Sequence, residues 1–128
     1  MAIPVLRSFT ALLSGLREFY SKHRPARFLL FGSIIFNISL WAILWLGVPA
    51  GSDIILHYNI YFGVDSIGNQ WQTLFSPAWG LVILLVNNLI AGIVSRDNIS
   101  KYFLLGLAAF IQLILLIAGV ATVIINRV

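Results

Sequence analysis

The sequence predicts an all-α membrane protein. Three transmembrane helices follow an N-terminal amphipathic interfacial helix, and a short extended or hairpin extracytoplasmic loop separates the first two spans. Three observations predict this class. Long apolar runs free of charge recur along the chain. Only 9% of its residues are charged while 60% are hydrophobic, against about 25% charged in a soluble domain. Lysine and arginine gather at some ends of the runs and avoid others, which is a topology signal. With 128 residues there is room for a single membrane domain, 1–128.

Residues 3–24 come first, as a helix on the cytoplasmic side. Leu6, Phe9, Leu12, Leu13, Leu16, Phe19 and Tyr20 recur at three- and four-residue spacing, while Arg7, Ser14, Arg17 and Glu18 fall opposite. Pro4 suits a first helical turn, and Pro25 separates this helix from the next. The apolar positions are periodic rather than continuous, and no small-x-small site follows. The segment therefore reads as a cationic amphipathic helix rather than a signal peptide. Its apolar face has either lipid or a partner protein to meet.

The first span covers 28–48, roughly 31 Å of uncharged helix, enough for a ~30 Å hydrocarbon core. Arg24 and Arg27 precede it and Pro49-Ala50-Gly51 ends it. The loop is 49–76, the second span 77–95 with Pro77 in its first turn, and the third span 102–125. The 96–101 turn is so short that the last two helices form an antiparallel hairpin.

Orientation follows from charge. Arg7, Arg17, Lys22, Arg24 and Arg27 precede the first span, and Arg96 and Lys101 lie in the 96–101 turn. The 49–76 loop has no lysine or arginine, and only Arg127, near the C-terminal end, breaks the rule. Trp41, Trp45, Trp71 and Trp79 fall toward the opposite side, where indole sits at headgroup level. The expected location is a bacterial inner or plasma membrane, with the N-terminus cytoplasmic and the C-terminus outside. Because this distribution explains the net charge of +4, no nucleic-acid partner is expected.

Each span carries a side-chain amide near its middle: Asn37, then Asn87 and Asn88, then Gln112. An amide in lipid must find a partner within the protein, so these four residues predict an interhelical polar layer. Small residues add weaker signals for close helix contact, with Ala118 and Thr122 four apart and Gly92 and Gly106 flanking the turn.

The 54–69 segment is rich in β-branched and aromatic residues and reads as extended chain. Simple alternation would put Ile55, His57, Asn59 and Tyr61 on one face and Leu56, Tyr58, Ile60 and Phe62 on the other. Gly63, Asp65, Gly68 and Asn69 have turn chemistry. His57, Asn59 and Asp65 are the candidate recognition residues. The plainer reading has His57 and Asn59 bonding backbone groups to hold a compact loop.

His57-Tyr58-Asn59, followed by Gly63, Asp65 and Gly68, resembles the loop of the SdpI-type bacterial membrane proteins. In that pattern an Asp stands eight residues after the His and a glycine three further on. Ile55 stands where the family has proline, the first glycine is displaced by one, and Gln70 replaces a lysine. The family's other spans are absent. The run from Leu56 to Gly63 is also similar to one in small uncharacterised bacterial membrane proteins. The resemblance implies bacterial origin and, for the SdpI type, immunity to a secreted toxin or signalling.

No cysteine is present, which excludes disulfides, thiol catalysis and cysteine-ligated metals. One His with one Asp falls short of a metal site, and no nucleophile–base pair can be assembled. A non-enzymatic protein without cofactor is expected. It would serve as a small accessory subunit or interaction partner in a membrane complex, with the lipid bilayer and a protein partner or second copy around it. The alternatives are a receptor or immunity-type protein that binds an extracellular peptide or protein through residues 54–71, and an oligomeric channel or transporter.

Overall fold

The computed structural model describes residues 4–51, 53–94 and 97–127, with side chains from residue 8 onward. The Arg7 side chain, Arg96 and the expected end of the second span at Ser95 lie outside the described residues. The elements in chain order are α1 (Pro4–Lys22), α2 (Arg24–Gly47), β1 (Ile54–Asn59), β2 (Gly63–Gly68), the short α3 (Gln70–Thr73), α4 (Phe75–Ile93) and α5 (Asn98–Arg127). The helices α2, α3 with α4, and α5 supply three stretches long and apolar enough to cross a membrane. A short β-hairpin sits between the first two of them. The bundle therefore has a hairpin end and an α1 end.

α1 and α2 are separated by one residue. His23 adopts an extended conformation (φ −117°, ψ 95°) as the N-cap of α2. Pro25 follows within the first turn, where its missing N–H costs nothing. α1 packs its Leu12 and Leu16 side chains close against Gly92 of α4 and buries Phe19. It leaves Phe9 and Leu13 about half exposed. Its apolar face is thus divided between the bundle and whatever surrounds it.

Four residues lock the α1 end together. The Phe19 ring stacks on His23 at 4.5 Å and meets Tyr102 edge-on at 5.7 Å. The ammonium of Lys101 lies 4.8 Å from the Phe19 ring centre, and the residue as a whole is only 7% exposed. A cation held over an aromatic face away from water gains more than the same contact at the surface. Lys101, expected in a polar turn, is thus packed against an aromatic ring, as is His23.

The stretch 98–101, expected as turn, is helix. Asp97 accepts the backbone N–H groups of Ile99 and Ser100 and the Ser100 hydroxyl, which is N-cap geometry. These bonds hold its carboxyl below the ordinary carboxylate range, so the cap stays charged well into acid and is lost only as pH falls through that lowered value. The expected end of the loop at 76 is likewise too late. α3 and the start of α4 take up 70–76, because Asn69 and Gln72 form a reciprocal capping box.

At the centre, the Asn37 amide donates to the Pro77 carbonyl (3.0 Å) and to Gln112 Oε1 (3.1 Å). Gln112 Nε2 donates to the Gly80 carbonyl (2.6 Å). One network therefore joins α2, α4 and α5. Gly80 is required there, since a Cβ would fall 2.9 Å from both Asn37 Nδ2 and Gln112 Oε1. The contacts also fix the depth of α4. Pro77, near the start of α4, is level with Asn37, about ten residues or roughly 15 Å before the end of α2. α4 begins deep within the bundle.

Of the small residues, Gly92 makes the close contact with α1 described above, and Gly119 and Gly47 add close approaches between α2 and α5. A Cβ on either would fall 2.2 Å from Leu40 or 2.7 Å from Val123. Gly106 has no neighbour within 4 Å of such an atom, and Ala118 and Thr122 line cavities.

Asn37 and Gln112 should be energetically coupled. A double-mutant cycle with Asn37→Leu and Gln112→Leu, read by reversible unfolding in mixed micelles, is expected to give about 0.6 kcal/mol and less than ~2 kcal/mol. A coupling of zero would remove this network from the bundle's energetics.

Candidate functional site

The hairpin end is built from residues far apart in sequence. β1 and β2 pair antiparallel, Ile54 opposite Gly68 and Asn59 opposite Gly63. Two irregularities interrupt the ladder. Leu56 falls between Ile55 and His57, whose partners Ile67 and Ser66 are adjacent, and Asp65 falls between the partners of His57 and Tyr58. Such bulges shift the side-chain period. The simple two-face alternation expected for 55–62 is therefore broken at Leu56. Ile54 is buried, Leu56 is half-buried, and His57 and Tyr58 are consecutive exposed residues.

The second bulge accounts for the contact between His57 and Asp65. It brings Asp65 Oδ1 within 2.6 Å of His57 Nδ1. The pair is open to solvent, His57 at 65% and Asp65 at 42% side-chain exposure. Exposed pairs of this kind stabilise by about 0–1 kcal/mol, so the contact orients two polar groups more than it holds the loop. Asn59 does hold the loop, because its side chain accepts the Tyr61 backbone N–H at 2.9 Å, an Asx-turn. Gly63 takes φ +76°, which only glycine adopts without strain. The turn projects Ile60, Tyr61 and Phe62, exposed at 83%, 88% and 85%.

The base of the hairpin is anchored by groups that sequence reasoning passed over. Asn126 of α5 treats Ile55 as a strand partner would, accepting its N–H (2.8 Å) and donating to its carbonyl (2.9 Å). Gln70 Nε2 donates to the Trp45 and Val48 carbonyls, and Arg127 Nε to the Gly47 carbonyl at 2.8 Å. These three are among the last carbonyls at the end of α2, which lack intrahelical partners. Gly68 fits tightly over this base, since a Cβ there would lie 1.9 Å from Gln72 Oε1 and 2.6 Å from Leu56. No periodicity announces such contacts. Gln70 stood out only as the residue in place of the resembled loop's lysine, and Arg127 only as the one basic residue that breaks the charge rule.

Because α4 starts low, space remains beneath the hairpin. A cavity of about 290 Å³ is bounded by Leu44 of α2, Leu56 of β1, Phe75 of α4, and Ala118 and Thr122 of α5. A second, about 220 Å³, is lined by His57 and Tyr58 of β1 and shares Leu56, Ala118 and Thr122 with the first. Thr122 and Thr73 hydroxyls are satisfied by their own helices.

The expected sites thus divide in two. His57, Asn59 and Asp65 share the hairpin head. Asn37 and Gln112 meet in the bundle, but Asn87 and Asn88 do not join them. Asn87 is buried in α4. Asn88 donates to the Leu84 carbonyl at 2.8 Å and accepts the Tyr20 hydroxyl proton from α1. Burial pushes the Tyr20 hydroxyl up to about 12, which keeps it a neutral donor. The physical reason for the split is α4's depth, which puts backbone carbonyls, rather than side-chain amides, opposite Asn37 and Gln112.

Among the described residues no group of three or more His, Asp or Glu side chains is placed to hold a metal ion. No family model matches the chain, and neither a curated protein nor a solved structure matches it.

Asn126→Ala should free β1 from α5, at about 1–3 kcal/mol for the two bonds and the exposed strand groups. The expected readout is faster hydrogen exchange at Ile55 with spans unchanged. Unaltered protection would mean that the hairpin is held by its own turn alone.

Proposed function

We propose that the chain is a non-enzymatic membrane subunit that acts by association, with the hairpin head as the surface that engages a membrane-protein partner. The observation that carries the reading is the exposure of Ile60, Tyr61 and Phe62 on a hairpin whose base is fixed by Asn126 and Gln70. Exposed apolar groups in contiguity mark interaction surfaces. Aromatic anchors dominate binding energy, and a preordered loop avoids the entropy lost when a flexible one binds.

The same reading places the head on the extracytoplasmic side, with α1 and its basic residues in the cytoplasm, because lysine and arginine are retained there. A receptor or immunity-type role is the second reading. It is favoured by the exposed His57–Asp65 pair beside the aromatic tip, which offers an extracellular peptide both a polar and an apolar handle. The polar layer lends no support to a conduction path, since the Asn37 and Gln112 amides bond one another and backbone carbonyls.

Purification from the native membrane in mild detergent, with the mass of the intact particle, tests the main reading. Stoichiometric foreign subunits are expected, and Tyr61→Ser with Phe62→Ser should strip them while the protein stays inserted. A particle of this chain alone overturns the reading. Loss of peptide binding on His57→Ala, Asn59→Ala or Asp65→Ala, with that lone particle intact, would favour the second.

Orientation has its own test. The chain has no cysteine, so single-cysteine variants report without background. A membrane-impermeant maleimide should label Tyr61→Cys in intact cells and Ser14→Cys only after lysis. The reverse pattern inverts the topology.

A further inference from the structure

At the α1 end, Arg24, Arg27, Phe28 and Phe31 line a cleft of about 440 Å³ on α2. Their spacing places all four within an arc of about 100° on one helix face. Ala26, Ser33 and Asn37, on the opposite arc, are the residues buried against the bundle. The stripe therefore looks outward, and Phe28 and Phe31 are 77% and 59% exposed. Among the described residues no carboxylate pairs with either arginine, and the Glu18 carboxylate is taken by Lys22 at 2.6 Å.

The order along the helix matches the order of groups in a lipid. Arg24 opens α2, and Phe31 lies seven residues or roughly 10 Å deeper into the apolar span. Two guanidiniums at the boundary can each offer paired N–H donors to phosphate oxygens. Two rings beneath them offer apolar surface to the first segment of an acyl chain. We propose that this stripe is a binding site for one anionic phospholipid, its phosphate held by Arg24 and Arg27 and its chain laid over Phe28 and Phe31. The charge at this place is then a ligand site and not only a determinant of orientation. The inference is independent of the partner read for the hairpin head.

The test is native mass spectrometry of the full chain in detergent, with phosphatidylglycerol and phosphatidylcholine of identical chains at equal concentration. Each basic residue near an anionic headgroup gains several-fold in affinity, so the phosphatidylglycerol adduct should be preferred by about tenfold. Arg24→Gln with Arg27→Gln should reduce that preference to about twofold or less. Arg17→Gln with Lys22→Gln removes the same charge outside the cleft and should leave it. If the glutamine pair does not insert, Arg24→Lys with Arg27→Lys keeps the charge and should still weaken retention by losing the paired donors. Phe28→Ser with Phe31→Ser should weaken phosphatidylglycerol in the same way. Equal retention of both lipids, or equal loss in the Arg17 and Lys22 variant, overturns the proposal. Displacement of the lipid by millimolar inorganic phosphate would also overturn it, assigning the arginines to free phosphate.

Discussion

Gln112 is wholly buried in α5 and bonds at both ends of its amide, to Asn37 of α2 and to the Gly80 carbonyl of α4. Lipid supplies no competing donors or acceptors, so a polar side chain at this depth has partners only within the protein. Satisfying it sets how the three spans meet. The bond to Gly80, with that of Asn37 to Pro77, draws the first turns of α4 down to the middle of α2. The remaining features of the hairpin end follow from that displacement. α3 and the turn at Leu74 bridge the gap, the hairpin roofs it, and cavities remain where a full-length helix would have packed. The energy per bond is small, and the geometric consequence is large.

The two ends of the bundle solve the same problem with different chemistry. At the α1 end, aromatic rings gather around Phe19 and take in Lys101 by its attraction to the ring face. At the hairpin end, the unpaired carbonyls of α2 are met by Gln70 and Arg127, and an edge of β1 by Asn126. An exposed strand edge is a template for unwanted pairing, and a single asparagine side chain occupies part of this one.

The spans were legible because twenty uncharged apolar residues admit few other solutions, and α1 because its period is helical. The extended segment also read correctly, from its β-branched and aromatic residues. Its bulges did not, since one unpaired residue such as Leu56 leaves no compositional mark. Helix limits were missed where capping overrode polarity, at Asp97 and at Asn69 with Gln72. The central layer was half legible. Asn37 and Gln112 were visible as amides, but their backbone partners carry no sequence signature. The depth of α4 therefore could not be read, and neither could the pairing of Asn88 with Tyr20. In the head, the approach of His57 to Asp65 depends on the bulge, and Asn126 lies 71 positions from the residue it anchors.

The helices also differ in length. α5 has 30 residues, roughly 45 Å, while α4 has 19, roughly 28 Å. A hydrocarbon core of ~30 Å matches the shorter helix and not the longer. Within one bilayer α5 must lean over or carry its polar ends beyond the acyl region, whereas α4 relies on α3 to extend its crossing stretch to 24 residues. Membrane thickness thus acts unevenly across the molecule. In a thicker bilayer, such as a sterol-rich one, the two 24-residue stretches, α2 and α3 with α4, fall short before the 30 residues of α5 do, and surrounding lipids thin there rather than around α5. The protein would carry a one-sided mismatch, a lateral preference for thin membrane that no single residue encodes.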